Sequence, residues 1–211
     1  MGADTPLSLR HPALSFAPEL LLAAQDVRVV FFDVDGVLTD GGIYFSEHGE
    51  TLKRFSTLDG HGLKLLQKGG VVPAFITGRD SAPLRLRLKA LGVEHAVFGT
   101  EDKQPAAERI LATLGLGWHQ AAAMGDDWPD LPMLRCSAFA CAPANAHPEV
   151  RAAAHHVTQA CGGHGAVREL CDLLLVAGGR YAALLAPYCA CRAAAQRGAA
   201  GKPPRCTCRC C

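Results

Sequence analysis

Apolar residues in this chain arrive in short runs that end abruptly in polar islands, and the phrase repeats five times. Val27 to Phe32, Val71 to Ile76, Ala96 to Phe98, Ala121 to Met124 and Ser137 to Ala142 have the length and near-continuous apolar character of buried strands. Helical periodicity fills the gaps between them. Leu84, Leu88 and Leu91 recur at i, i+4 and i+7 behind Asp80 and Ser81, which can cap, and Pro83, and Gly92 stops the segment. Ile110, Leu111 and Leu114 share a face behind Asp102 and Pro105, and Gly115 ends that run. Glu19 to Ala24 predicts a short helix ahead of the first strand. Strands alternating with helices imply right-handed crossovers. The predicted fold is therefore α/β, a doubly wound and mostly parallel sheet covered on both faces.

One segment breaks the rhythm. Between Asp40 and Phe55, the runs Ile43-Tyr44-Phe45 and Thr51-Leu52-Lys53-Arg54-Phe55 flank the polar turn Ser46-Glu47-His48-Gly49-Glu50, which is the pattern of a β-hairpin. It follows directly on the first polar island, so it should overhang whatever that island does. The segment is too short for a separate domain above the site, and a neighbouring subunit is the expected supplier of the missing wall.

The two ends differ in composition. Residues 1–18, interrupted by Pro6, Pro12 and Pro18, read as a flexible leader without the basic and apolar zones of a secretory signal. Residues 19–178 form the predicted domain. From 179 to 211 the charged residues are all basic and Ala, Gly, Pro and Cys fill the rest; Tyr181 to Leu185 extends a helix running from Val167, and disorder is expected beyond it. Of ten cysteines none precedes Cys136, and six (Cys189, Cys191, Cys206, Cys208, Cys210 and Cys211) crowd the tail in C-x-C steps that lack the paired spacing of a zinc site. That distribution argues against a disulfide scaffold and for a cytoplasmic protein. Net charge is +1, so nothing points to nucleic acid, and no apolar run has the length of a membrane span.

The chemistry lies in the polar islands. The first strand ends in Asp33-Val34-Asp35-Gly36, the second in Thr77-Gly78-Arg79 and the fourth in Gly125-Asp126-Asp127, while Lys103 opens the helix after the third. Carboxylates at the end of a core strand require a partner, because desolvating one alone costs several kcal/mol. A solvated Asp-x-Asp-Gly turn is the alternative for the first island taken by itself. Open parallel sheets bind ligands beyond the carboxyl ends of their strands, and all these islands sit there. Carboxylates suit a hard cation such as Mg²⁺. Thr77 and the N–H groups after it suit phosphate oxygens, and Lys103 supplies a point charge for the same anion.

Asp33-Val-Asp35-Gly-Val-Leu-Thr, Ile76-Thr77-Gly78-Arg79, Lys103 and Gly125-Asp126-Asp127-x-x-Asp130 resemble, in order, the four motifs of haloacid dehalogenase-type phosphatases. Leu38-Thr39-Asp40-Gly41, Asp59-Gly60-His61-Gly62-Leu63 and the segment from Gly162 to Glu169 are similar to the small, capless, tetrameric 3-deoxy-D-manno-octulosonate 8-phosphate phosphatases, over roughly residues 20–178. The resemblance implies a phosphoric monoester hydrolase with a hairpin in place of a cap domain and Mg²⁺ as cofactor. Asp33 would be the nucleophile, Asp35 the general acid–base, and Thr77 and Lys103 the remaining catalytic groups. The metal would be held by Asp33, the backbone of Asp35, and Asp126, with Asp127 and Asp130 behind it. Gly36, Thr57, Asp59, Gly60, Lys64, Gly78, Arg79, Arg87 and Lys103 would bind phosphate and sugar acid. Implied partners are a small sugar-acid phosphate and three copies of the chain, in the biosynthesis of lipopolysaccharide sugar.

Three positions depart from the resembled pattern. Leu58 and His164 replace basic residues, and Lys64 stands where arginine is common, although only arginine offers a planar fork to a carboxylate. A nine-carbon sugar-acid phosphate is therefore the alternative substrate. A catalytically silent domain kept for oligomerisation is a third reading, and the complete set of acids, hydroxyl and lysine argues against it.

Overall fold

The computed structural model describes residues 13–189. Its centre is a six-stranded sheet in the order β5-β4-β1-β6-β7-β8, with every pairing parallel. The strands are β1 (Val29–Phe32), β4 (Val72–Ile76), β5 (His95–Val97), β6 (Ala121–Met124), β7 (Phe139–Ala142) and β8 (His156–Val157). From β1 the chain first builds outward on one side and then returns to build on the other. The order therefore reverses between β1 and β6, where the crossovers leave a crevice at the strands' carboxyl ends. Asp33 follows β1, and Asp126 follows β6 by two residues.

Alternation along the strands divides the core. Val30, Phe32, Phe75, Met124 and Phe139 face one layer made by α2 (Thr57–Lys68), α3 (Ala82–Leu91) and α7 (Ala166–Ala177), with α1 (Pro18–Ala24) packed on α7. Val29, Phe31, Ile76, Ala121 and Ala123 face a second layer made by α4 (Lys103–Leu114), α5 (Leu131–Cys136) and α6 (Pro148–Ala153). Both layers exclude water from β1, whose four residues are all buried. A strand apolar on both faces is what a doubly covered parallel sheet demands.

The five expected strands are present with boundaries moved by at most two residues. The first begins at Val29 because the Val27 amide turns back to the Ala24 carbonyl, 3.3 Å away, and pairing starts only after it. The helix stops are as expected: Gly92 and Gly115 adopt left-handed conformations with φ of 70° and 66°. The proposed caps differ. Ser81 makes no capping bond through its side chain, and Asp80 pairs instead with Arg85 at 2.7 Å. The two-residue β8 and the helix α6, too short to show a period, escaped the sequence reading, and so did the twelve-residue α2.

Tyr44–Ser46 (β2) and Gly49–Leu52 (β3) form the antiparallel hairpin after Asp40. At the other end, the expected continuation of the Val167 helix is corrected. Gly178 and Gly179 break it, Gly179 at φ 67°, and α8 (Tyr181–Cys189) leaves at 108° to α7. The predicted tail therefore begins with a helix, while Cys191, Cys206, Cys208, Cys210, Cys211 and most of the leader lie outside the described residues. No single helix among the described residues is long and apolar enough to cross a membrane.

Candidate active site

Asp33 emerges from β1 with its amide bonded to the Met124 carbonyl at 3.0 Å, so its Cα is held by the strand that delivers Asp126. Its carboxylate is almost wholly buried. Lys103, at the first turn of α4, reaches over the crevice and places Nζ 2.6 Å from Asp33 Oδ1 and 2.6 Å from Asp130 Oδ1. The other oxygen of Asp130 accepts the amides of Asp126 and Asp127 at 3.0 and 3.3 Å. Asp130 thus spends both oxygens holding the loop that carries Asp126 and the ammonium that touches Asp33.

Carboxylate oxygens of Asp33, Asp126 and Asp130 lie within 4.8 Å of one another. Burial, then the neighbouring Asp130 charge, pushes the Asp33 pKa up to about 6 against the opposing pull of Lys103. Burial, followed by Asp33 and Asp130, pushes Asp126 up to about 8. Burial pulls the Lys103 ammonium the other way, but its two carboxylates win and its pKa is raised. Three carboxylates facing one lysine are short of positive charge, and the pKa values of Asp33 and Asp126 rise in consequence. A hard divalent cation held by Asp33 and Asp126 would supply that charge, and the oxygen-only donor set fits it. Asp130, engaged on both sides, is the member least free to ligate. Gly36 has φ 95°, and a Cβ there would run into the Asp126 carboxylate, so only glycine lets the two loops close on each other.

Thr77 is buried at the end of β4, and its Oγ1 accepts the Arg79 amide at 3.2 Å. That leaves its hydroxyl proton to donate into the crevice. Gly78 lies beside Glu101, where a Cβ would come within 3.2 Å of the Glu101 Cγ. Asp35 joins the site from the hairpin side. Lys53, just beyond β3, pairs with Asp35 Oδ1 and stands 3.3 Å from Glu50 Oε1, while Glu50 Oε2 lies 3.5 Å from Arg79 Nε. Lys53 and Glu50 were not singled out in the sequence. The available signal was a charged pair at i, i+3 in a hairpin that had to lie over two aspartates.

Other expected site residues are placed elsewhere. Asp59 is fully buried in α2 and accepts the amides of Gly165 and Arg168 at 3.2 and 2.9 Å, capping α7 from a distance. Each of its oxygens is thus engaged by a backbone amide at the start of α7. Gly60 is also buried, and a Cβ there would strike the Arg87 guanidinium. Arg87 donates to the Ser56 carbonyl at 3.2 Å across the start of α2. Thr57 and Lys64 are exposed on α2. Asp127 faces solvent and caps the turn Trp128–Asp130 through the Trp128 amide at 2.8 Å; it does not touch Lys103, so Asp130 alone does what was expected of the pair. Gly162 and Gly163 lie flush on the loop from Gly36 to Asp40, where any Cβ would clash with backbone, and the Gly163 amide donates to Val37 at 3.0 Å.

Comparison with known proteins agrees with this geometry. Residues 99–170, which carry Lys103 and the Asp126–Asp130 loop, match the model of the haloacid dehalogenase-like hydrolases. The chain is 42% identical over 161 residues to the 3-deoxy-D-manno-octulosonate 8-phosphate phosphatase of Yersinia pestis, covering 76% of this chain and 86% of that protein. The chain belongs to the haloacid dehalogenase-like hydrolases. Within that family it is also similar to the crystal structure of the Moraxella catarrhalis 3-deoxy-D-manno-octulosonate 8-phosphate phosphatase in complex with magnesium, phosphate and the sugar acid. The TM-score is 0.78 at 38% identity, over 81% of this chain and 98% of that one. The Escherichia coli K12 phosphatase of the same name is 38% identical over 162 residues, or 77% of this chain and 86% of that protein. This haloacid dehalogenase-like protein is accordingly a phosphoric monoester hydrolase, and the silent-domain reading is set aside.

Proposed function

We propose that the protein hydrolyses 3-deoxy-D-manno-octulosonate 8-phosphate to the free sugar acid and phosphate through an aspartyl-phosphate on Asp33, with Mg²⁺ as cofactor. The observation that carries this reading is the grip of Lys103 on Asp33 Oδ1, which fixes a buried carboxylate at the strand end, beside Asp126, for attack on phosphorus. As that bond forms, the ester bond to the sugar breaks, and Asp35 gives the departing oxygen its proton. Asp35 then takes a proton from the water that attacks the phosphoryl group and frees Asp33. Thr77, the amides of the following turn and Lys103 hold phosphoryl oxygens while charge moves among them. Asp33, Asp126 and the Asp35 carbonyl would hold Mg²⁺, which would supply positive charge against the repulsion between the attacking carboxylate and the phosphate.

The substrate assignment rests on the names of the relatives and on Arg79, whose half-exposed guanidinium stands beyond Thr77 as a counter-charge for a sugar carboxylate. The test is a comparison of eight- and nine-carbon sugar-acid phosphates with Mg²⁺. Preference for the nine-carbon ester would replace the proposed substrate and keep the chemistry.

A homotetramer completes the site in this reading. Ile43, Tyr44, Phe45 and Leu52 of the hairpin and Leu58 of α2 are between 41% and 66% exposed, and so much apolar surface beside a shallow crevice calls for cover. Among the described residues Cys136, Cys141, Cys161, Cys171 and Cys189 are free thiols, which suits a reducing cytoplasm.

A further inference from the structure

Lys53 is the most deeply enclosed cation over the crevice, its side chain only 1% exposed. It belongs to none of the four motifs. Its ammonium meets Asp35 at Oδ1 alone. Asp35 Oδ2 is buried and has no hydrogen-bond partner in the protein. A carboxyl group gripped at one oxygen and unpartnered at the other has a single oxygen on which to exchange a proton. Glu50, its own side chain 12% exposed, forms an ion pair with the same ammonium at 3.3 Å, and Arg79 forms one with Glu50 at 3.5 Å. The ammonium is thus shared by two carboxylates, hydrogen-bonded to Asp35 and ion-paired with Glu50.

We propose that Lys53 is the positioning residue of the acid–base step, holding Asp35 by Oδ1 so that Oδ2 faces the ester oxygen and later the attacking water. The proposal rests on the reading of Asp35 as the general acid–base. In the first step the phosphorus–oxygen ester bond breaks, the bond to Asp33 forms, and the proton passes from Asp35 Oδ2 to the sugar oxygen. In the second the water proton returns to Oδ2 as the phosphorus–Asp33 bond breaks. Lys53 keeps its own protons throughout. The hairpin is then part of the catalytic apparatus as well as a wall, because it carries the group that aims Asp35.

Two esters separate aiming from mere support. A sugar-acid phosphate must leave as a protonated alcohol, whereas 4-nitrophenyl phosphate leaves as a stable anion and needs no proton in the first step. Lys53→Met should slow first-turnover release of sugar from 3-deoxy-D-manno-octulosonate 8-phosphate on the order of 10²-fold, the usual worth of a positioned acid. First-turnover release of nitrophenolate should fall at least about tenfold less, while later turnovers of both esters slow together. Asp35→Asn should show the same split. If Asp35→Asn slows both first turnovers equally, the acid–base reading and this proposal fall together. If it shows the split and Lys53→Met does not, only the role of Lys53 is overturned. Glu50→Gln, which leaves Lys53 in place but frees its ammonium to shift, should give the split at smaller amplitude. It serves as the deciding variant should Lys53→Met fail to fold, and equal loss on both esters there would overturn the proposal.

Discussion

The carboxylate of Asp59 accepts the backbone amide of Arg168 at 2.9 Å across 109 residues of sequence. One side chain in the middle of the chain thereby closes the amino end of α7, whose Gly162–Gly163 approach lies against the Asp33–Asp40 loop. Gly165 stands at the left-handed φ of 111° and offers no side chain to cap its own helix, so the cap is imported from α2. The helix packing and the shape of the catalytic loop are therefore joined through a single buried acid.

Replacing Asp59 should show that its task is structural. Asp59→Ala should cost about 1–3 kcal/mol, as expected for leaving two buried amides without an acceptor. Denaturant unfolding measures this, and catalytic turnover per folded molecule should change far less than it does on replacing Asp33.

Asp33→Asn should abolish Mg²⁺-dependent phosphate release, by at least about 10³-fold, because the amide cannot form the phosphoenzyme. Circular dichroism and melting should report a folded protein. The substitution removes one of three crowded negative charges, so the metal-free melting temperature should hold or rise.

Removing Lys103 should act in the opposite direction on stability. Lys103→Met leaves Asp33 and Asp130 facing each other without their shared cation, at a cost of about 3–5 kcal/mol at neutral pH. A melting temperature unchanged from wild type would show that the ammonium contributes nothing to holding the two carboxylates.

The acidic cluster gives stability a pH dependence with a definite sign. Asp33 and Asp126 have folded-state pKa values of about 6 and about 8, above the ordinary 3.8, so between pH 3.8 and about 8 the folded state binds more protons than the unfolded chain. The metal-free protein should lose stability as pH rises through that window. A bound divalent cation favours the deprotonated carboxylates and reverses the trend. The rise in melting temperature on adding Mg²⁺ should be larger near pH 8 than near pH 5. A metal effect independent of pH would count against ligation by these two carboxylates.

Phe45, 66% exposed at the hairpin, tests the assembly. Phe45→Glu should shift the solution mass toward smaller species and lower activity in proportion. A wild-type chain fully active as a monomer would refute completion of the site by a neighbour.

Much of this was legible along the chain. Five apolar runs and the helices between them announced a doubly covered parallel sheet, since a strand buried on both faces has no polar residue to spare until it ends. The same property exposed Asp33 and Asp126, because charge at the end of a core strand is costly without a task. Thr77 and Lys103 were drawn in by their places after the second strand and at the start of the helix after the third. Local sequence also announced the stops at Gly92 and Gly115, where a left-handed residue is needed.

What folding alone decided was which polar residues meet. Asp59, placed among the substrate ligands by resemblance, accepts in the folded chain two backbone amides that carry no mark in the sequence. Lys53, unremarked in its hairpin run, is the buried partner of Asp35. Asp130 came out ahead of Asp127 for the same kind of reason: a turn of three residues points one inward and the other to solvent. Hydrophobic pattern is a property of neighbours in the chain and determines the layers. Hydrogen bonds and ion pairs depend on distances of a few ångströms between remote segments, and only the packing of those layers sets them.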